Sequence, residues 1–333
     1  MVAEIGIIPL LQGQSWALPL MKFASFLGSL EFYLIILPAI YWCWDARLGF
    51  RIGLILTFSQ GVNSALKIAF HSPRPYWINR EIMPLEINGS FGMPSGHAQN
   101  AVCVCGLLAL AIRRPWAWAL AIALCLFIGI SRIYLGVHFP GDVIVGWAVG
   151  LFILGVFLGV ESLASNRLSS LNFRQKVVVS FLASMGIIAL YALGWMAVGG
   201  WKVPDSWTTT AFAATSIPIA PQNPLEAFEI AGLLFGIAAG YSLLLEKGGY
   251  EKEASAAKCL ICYIAGIACL MCIWFGLGVF HPGLPAEYIM VYVRSMLAGA
   301  WVTAGAPLLF IRLKLAKDAG NHDQKQDNSP NFR

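Results

Sequence analysis

Residues 90–112 read SFGMPSGHAQNAVCVCGLLALAI, a glycine-rich polar turn that runs directly into an apolar stretch with one histidine, His97, at the junction. Pro94 suits a first helical turn, where its missing N–H is an orphan in any case. The following N–H groups, those of Ser95 and Gly96 among them, lack intrahelical acceptors, and a glycine lets a ligand come close. A helix start of this form binds phosphate through its amides and dipole. The stretch therefore predicts a helix that opens on an anion site and continues into hydrocarbon.

The rest of the chain agrees with such a setting. Of 333 residues 58% are hydrophobic and only 12% charged, with twelve tryptophans and twenty phenylalanines. Mean hydropathy is +0.71. Soluble domains carry about a quarter charged residues, so the composition excludes an ordinary soluble enzyme and predicts a polytopic membrane protein. The net charge of +5 sits mainly in short connections, where it orients helices and does not point to a nucleic-acid partner. Residues 1–16 hold Glu4 and no basic residue, so no cleaved leader is expected. All eight cysteines fall in apolar segments, where thiols act as small hydrophobes and not as a disulfide framework.

Apolar runs bounded by charge or turn residues fall at about 28–44, 49–70, 97–112, 116–134, 140–160, 176–199, 227–245, 257–280 and 288–311. With spans of roughly 20 residues, the expected fold is an all-α transmembrane bundle of about nine spans. Residues 1–27 either lie along the interface as an amphipathic segment or add a tenth span. Four linear regions follow: this N-terminal segment, a core at 28–164, four further spans at 165–313, and a polar tail at 314–333 too poor in apolar residues to fold. Lys and Arg collect at 113–114, 167–176, 247–258 and 312–317. Nine spans put these groups on one side, the cytoplasmic one. The C-terminus is then inside, the connections 71–96 and 200–226 outside, and an inner (cell) membrane is the expected location. Gly146-x-x-x-Gly150 and Gly155-x-x-x-Gly159 offer small faces for close helix approach.

The outward side gathers an uncommon set of groups. Lys67 ends the second span, Arg74 lies between two prolines, Ser95, Gly96 and His97 open the third span, Arg132 closes the fourth, and His138 and Asp142 open the fifth. His138 and Asp142 stand four apart and share a helix face. The carboxylate can hold one ring nitrogen and leave the other to attack. Three cations in a half-buried pocket bind a phosphate far more strongly than in open water.

Lys67-x6-Arg74-Pro75, Pro94-Ser95-Gly96-His97 and Ser131-Arg132-x5-His138-x3-Asp142 resemble the three-part signature of the type 2 phosphatidic acid phosphatase (lipid phosphate phosphatase) superfamily. All three parts match in residue, spacing and order, over roughly residues 28–160. The resemblance implies His138 as the nucleophile, Asp142 as its orienting partner, and His97 as the acid that protonates the leaving oxygen and then activates water. It implies that Lys67, Arg74, Ser95, Gly96 and Arg132 hold the phosphate, with no metal and no cofactor. The expected partners are a phosphorylated lipid and the bilayer. The expected activity is hydrolysis of a lipid phosphomonoester or diphosphate at the extracytoplasmic face.

Several readings stay open. Phosphatidic acid, phosphatidylglycerol phosphate, a polyprenyl diphosphate and a sphingoid-base phosphate all suit such a site. A phosphotransferase would use the same dyad, and the second half could be a transport or binding module. His71 and His281 match no signature position and read as structural. Tyr76 and Trp77 read as part of the interfacial aromatic belt. Cys259-x2-Cys262 and Cys269-x2-Cys272 lie along one helix stripe, too extended for a tetrahedral metal. Glu31, Glu226 and Glu229 take no assignment.

Overall fold

In a computed structural model, residues 6–252 and 255–319 are described, and they are helical throughout apart from connections and one isolated β-bridge. The chain runs α1 (Ile7–Gln12), α2 (Leu18–Leu27), α3 (Leu30–Ala39), α4 (Ala46–Phe70), α5 (Pro75–Ile78), α6 (Gly96–Ile112), α7 (Pro115–Tyr134), α8 (Pro140–Ser170), α9 (Phe173–Ala197), α10 (Asp205–Thr215), α11 (Leu225–Glu246), α12 (Ala256–Gly278), α13 (Ala286–Ala300) and α14 (Ala306–Arg312). Wide turns at Ile40–Trp44 and Trp301–Gly305 prolong α3 and α13.

Each of the nine apolar runs has become helix, but they are not equal as spans. Six segments are long and apolar enough to cross a bilayer: 115–134, 140–164, 173–197, 225–246, 256–278 and 286–312. Residues 15–27 and 30–44 pass that test only as a bent pair, which brings the number to seven, and α6 is a shorter apolar helix. A count of nine is thus not established. α6, with 17 residues, is short for a span, and on α4 polar and charged residues interrupt the apolar run. Ser59 and Asn63 on α4 and Gln99 and Asn100 on α6 are buried. They bond to one another: Ser59 Oγ donates to Asn100 Oδ1 (2.7 Å), Asn63 Nδ2 to Gln99 Oε1 (2.9 Å), and Gln99 Nε2 to the Ser59 carbonyl (2.7 Å). Buried amides bonded in this way lock register, although Asn63 Oδ1 is left without a hydrogen-bond partner.

Two compact units interleave along the sequence, so they do not follow a linear division at 164/165. One comprises residues 1–33, 55–164 and 187–227; the other 34–54, 165–186 and 228–333. The first unit's core holds Ile8, Tyr76, Trp77, Phe91, Tyr134, Val137, Tyr191 and Ala211. The N-terminal helices belong to it: Gln12 Nε2 donates to the Met83 carbonyl (2.7 Å), and Ile8 is fully buried. Tyr76 and Trp77, expected in the interfacial belt, are instead fully buried. Trp201, in the connection after α9, and Trp207, on α10, explain the correction. They lie 5.9 Å from Phe91 and 6.3 Å from Trp77, respectively, between ring centroids, and cover the 71–91 connection with an aromatic layer.

Within the first unit α6 and α8 approach closely because Gly146 and Gly150 leave room. A Cβ on Gly146 would stand 2.7 Å from the Ser95 carbonyl oxygen, and one on Gly150 2.6 Å from that of Gln99. Gly155 and Gly159 meet nothing within 4 Å, so only the first small-residue pair serves helix packing there. In the second unit Trp42 Nε1 donates to the Val302 carbonyl (2.8 Å), Glu229 pairs with Arg294 (3.2 Å), and Arg294 lies over the Trp274 ring. The described part of the polar tail, residues 314–319, is ordered: Ala316 is buried and Lys317 pairs with Glu251 through two backbone bonds. The rest of that expected disordered segment, 320–333, lies outside the described residues.

Candidate active site

All eight residues singled out in the sequence lie in the first unit, at the ends of the helices that carry them. Lys67 sits in the last turn of α4, and its Nζ donates to Ser90 Oγ at 2.9 Å. Arg74 is the residue before α5. Ser95 is the N-cap of α6, with extended backbone, and Gly96 and His97 are the first residues of that helix. Arg132 lies in the last turn of α7 and Asp142 in the first turn of α8, with His138 in the turn between.

Backbone bonds hold the three motifs together. The N–H groups of Val137 and His138 both donate to the Arg132 carbonyl (3.3 Å), which wraps the turn tightly around that arginine. Gly136 makes the turn feasible: its φ is +74°, and a Cβ there would stand 2.7 Å from the Met83 carbonyl oxygen. The Ser95 N–H donates to the Asp142 carbonyl (2.9 Å), which pins the start of α6 to the start of α8. Gly92 fits between Pro73 and Asp142, where a Cβ would lie 3.0 Å from Asp142 Oδ2.

His138 is buried, with Nδ1 3.4 Å from Asp142 Oδ2. That contact is an ion-pair distance without hydrogen-bond alignment. The same oxygen accepts the Phe139 N–H at 2.9 Å. Catalytic hydrogen bonds often tighten only when substrate binds. On the other ring edge, Arg74 Nη1 stands 3.3 Å from His138 Nε2. Burial pushes the His138 pKa well below its ordinary value, and the charges of Arg74, Arg132 and Lys67 push the same way. The ring is therefore neutral at pH 7, with an Nε2 lone pair facing a guanidinium. His97 contributes to the same field at His138.

Arg74 is fully engaged. Nε donates to the Ser90 carbonyl (2.6 Å), Nη1 to that of Val137 (2.8 Å) and Nη2 to Ser90 Oγ (3.1 Å) and the Phe91 carbonyl (3.2 Å). Burial lowers its pKa to about 10, which leaves it charged at neutral pH. Arg132 is fully buried and forms a forked pair with Glu86, Nη1 to Oε2 at 2.7 Å and Nη2 to Oε1 at 2.9 Å. Ser25 also takes a bond from Nη1. Burial acts to raise the Glu86 pKa, but Arg132 outweighs it and holds the carboxyl down at about 2. Arg132 Nε and Ser95 Oγ are buried without a hydrogen-bond partner. Buried polar atoms are rarely left so, and two beside a helix N-terminus suit an oxyanion.

Sequence reasoning missed Glu86, Ser90 and Ser25, and the amides behind the site. Glu86 and Ser90 lie in an irregular connection with no periodicity. The amides were legible as polar interruptions of two apolar runs, at 59–63 and 99–100, but nothing in the chain shows that they face each other. His71, read as structural, donates from Nδ1 to the Ile68 carbonyl at 2.9 Å and packs its ring against Trp201. His281 lies exposed beside Glu287.

Comparison with known proteins bears on this arrangement. Residues 48–164 match the family model of the PAP2 superfamily, and residues 228–318 match that of the PAP2 superfamily phosphatase transmembrane extension. Lipid phosphate phosphatase delta of Arabidopsis thaliana is 28% identical over 180 residues, covering 49% of this chain and 42% of that protein. Phosphatidylglycerophosphatase B of Bacillus subtilis (strain 168) is 30% identical over 142 residues, covering 40% and 63%. Sphingosine-1-phosphate phosphatase 1 of Rattus norvegicus is 26% identical over 181 residues, covering 52% and 42%. The chain spans about half the length of these curated relatives. With its signature residues 67–142 inside the first family match and an apolar second half inside the other, this integral membrane protein is a member of the PAP2 superfamily that carries the superfamily's transmembrane extension.

Proposed function

We propose that the chain hydrolyses a lipid phosphomonoester or diphosphate through a phosphohistidine intermediate at the extracytoplasmic face of the membrane. The observation that carries the reading is the placement of a neutral, buried His138 between Asp142 at Nδ1 and Arg74 at Nε2. Nε2 attacks phosphorus, the bond from phosphorus to the lipid oxygen breaks, and His97, having taken a proton as the anionic phosphate enters, gives it to that oxygen. His97, now neutral, takes a proton from water. The water oxygen attacks phosphorus, the P–N bond breaks, and inorganic phosphate leaves with His138 restored. Lys67, Arg74, Arg132 and the α6 N-terminus at Ser95 and Gly96 hold the phosphate oxygens and offset charge in both transition states. Arg74 exchanges its contact with His138 for one with the phosphate as substrate enters. No step calls on a metal or a cofactor.

The names of the relatives support lipid phosphates as the substrate class. The match of residues 228–318 to a phosphatase extension favours a phosphatase accessory over a transport module. The test uses purified protein, a labelled lipid phosphate and water as the acceptor. His138→Ala is expected to release phosphate at least about a thousandfold more slowly, consistent with loss of a nucleophile, and to trap no acid-labile label. His97→Ala is expected to accumulate labelled protein. Wild-type turnover in His138→Ala, or transfer to an added alcohol with none to water, overturns the reading.

A further inference from the structure

Beside the cation cage, and within the same unit, lies a cavity of about 220 Å³ lined by Ser64, Lys67, Ser90, Asn223 and Glu226. At roughly 30 Å³ per water, it holds a headgroup-sized fragment, and apolar residues, Ile68 and Leu225 among them, complete its wall. It joins the phosphate site through Ser90, whose hydroxyl takes bonds from both Lys67 (2.9 Å) and Arg74 (3.1 Å). Arg74 in turn touches His138 Nε2. A group in this cavity is therefore attached close to the reacting phosphate.

The lining is dipolar. Lys67 and Ser90 belong to the phosphate side, while Glu226, in the first turn of α11, supplies a carboxylate. That carboxylate is held by a neutral amide, Gln60 Nε2, at 2.5 Å, and by no cation within ion-pair distance among the described residues. Gln60 is itself fixed, since its Oε1 accepts from Asn100 Nδ2 at 2.7 Å. Ser64 lines the same cavity, is 3% exposed, and its Oγ has no hydrogen-bond partner. Glu226 feels the charge of Lys67 across the cavity but is hydrogen-bonded by an amide alone, so a fixed cation and a fixed carboxylate face one space beside a buried unpartnered hydroxyl, an arrangement complementary to an anion, an ammonium and a hydroxyl on one ligand.

We propose that this cavity is a headgroup subsite and that the preferred substrate is a lipid phosphomonoester with an ammonium one or two carbons from the ester oxygen, the chemistry of a sphingoid-base phosphate. The inference rests on the proposed hydrolase reading and names its substrate class. Phosphate lies against Lys67 and Ser90, the ammonium against Glu226, and a neighbouring hydroxyl against Ser64. A diphosphate or phosphatidylglycerol phosphate brings a second anion that Glu226 repels. Phosphatidic acid brings an ester with no donor, which offers the carboxylate nothing beyond its bond from Gln60.

The test is equilibrium binding to the detergent-purified full chain, comparing sphinganine 1-phosphate with its N-acetylated counterpart, which has the same tail and phosphate but no charge on nitrogen. The amine form is expected to bind at least tenfold tighter, and Glu226→Gln to shrink that preference to within threefold. Equal binding of the two lipids by the wild type, which needs no variant, overturns the subsite, as does a preference that survives Glu226→Gln. Phosphate release, followed in the same samples, reads the hydrolase assignment separately: a preference without release removes the hydrolase and leaves the subsite standing.

Discussion

At the scale of single residues, the two buried arginines show how one side-chain type does two kinds of work. Arg74 has all five N–H groups engaged, three of them with main-chain carbonyls, so it staples the 90–91 and 137 segments as well as facing His138. Lysine cannot replace it, because an ammonium has neither the planar fork nor the fifth donor. Arg132 is braced by Glu86 at both Nη atoms, and its Nε edge has no hydrogen-bond partner. The brace carries a pH signature. The Glu86 carboxyl titrates at about 2 in the folded protein and at about 4.3 in an unfolded chain. A depressed folded pKa adds stability that is complete above the unfolded value and is lost as pH falls through the folded one. The melting-temperature gap between wild type and Glu86→Gln is therefore expected to be widest near pH 7 and to close between about pH 5 and pH 2. A gap that stays constant over that range would show that the pair contributes nothing through charge.

At the scale of elements, the site exists because helix ends meet. The α6 N-terminus is drawn against α8 by Gly146 and Gly150, and the bond from Ser95 N–H to the Asp142 carbonyl depends on that approach. Gly150→Leu would force its Cβ into the Gln99 carbonyl, 2.6 Å away, and into Val102. Overpacking of this kind costs about 1–3 kcal/mol. A lower melting temperature and at least about tenfold lower turnover are expected, since a displacement near 1 Å at a catalytic group can cost about a hundredfold. Gly155→Leu, five residues further along the same helix, meets nothing within 4 Å and serves as the control, with both properties near wild type. Equal behaviour of the two variants would mean that the α6–α8 contact does not set the site. The repeated small residues were visible in the chain, but both pairs looked alike. Only the helix that passes over the first pair distinguishes them.

For the whole molecule, the distribution of Lys and Arg is what the proposed orientation rests on. The basic pair Arg113–Arg114 follows α6, whose 17 residues lift it about 25 Å from His97 at 1.5 Å per residue. That rise nearly matches a hydrocarbon core of about 30 Å, so the proposed topology places the two ends of α6 on opposite faces. Single cysteines at Glu81 and at Arg114, both exposed, in a background with the eight native cysteines replaced, give the check. Glu81→Cys is expected to react with an impermeant maleimide added outside intact cells, and Arg114→Cys only after permeabilisation. Labelling of both from one side would remove the proposed topology.

Hydropathy, charge placement and the spacing of Lys67, Arg74, Ser95, Gly96, His97, Arg132, His138 and Asp142 are properties of neighbours along the chain. For that reason the helical membrane class, the superfamily and the candidate site were all legible in the amino-acid sequence. The partners of those residues were not, because Glu86, Ser90, Gln60 and Glu226 reach the site across 16 to 166 positions of chain, a separation no local pattern records. Folding alone decided that Glu86 braces Arg132, that tryptophans after α9 bury Tyr76 and Trp77, and that a carboxylate from α11 lines one cavity with Lys67 and Ser90. Each of those contacts is held by burial and hydrogen bonding between distant segments, and so exists only once the helices have packed.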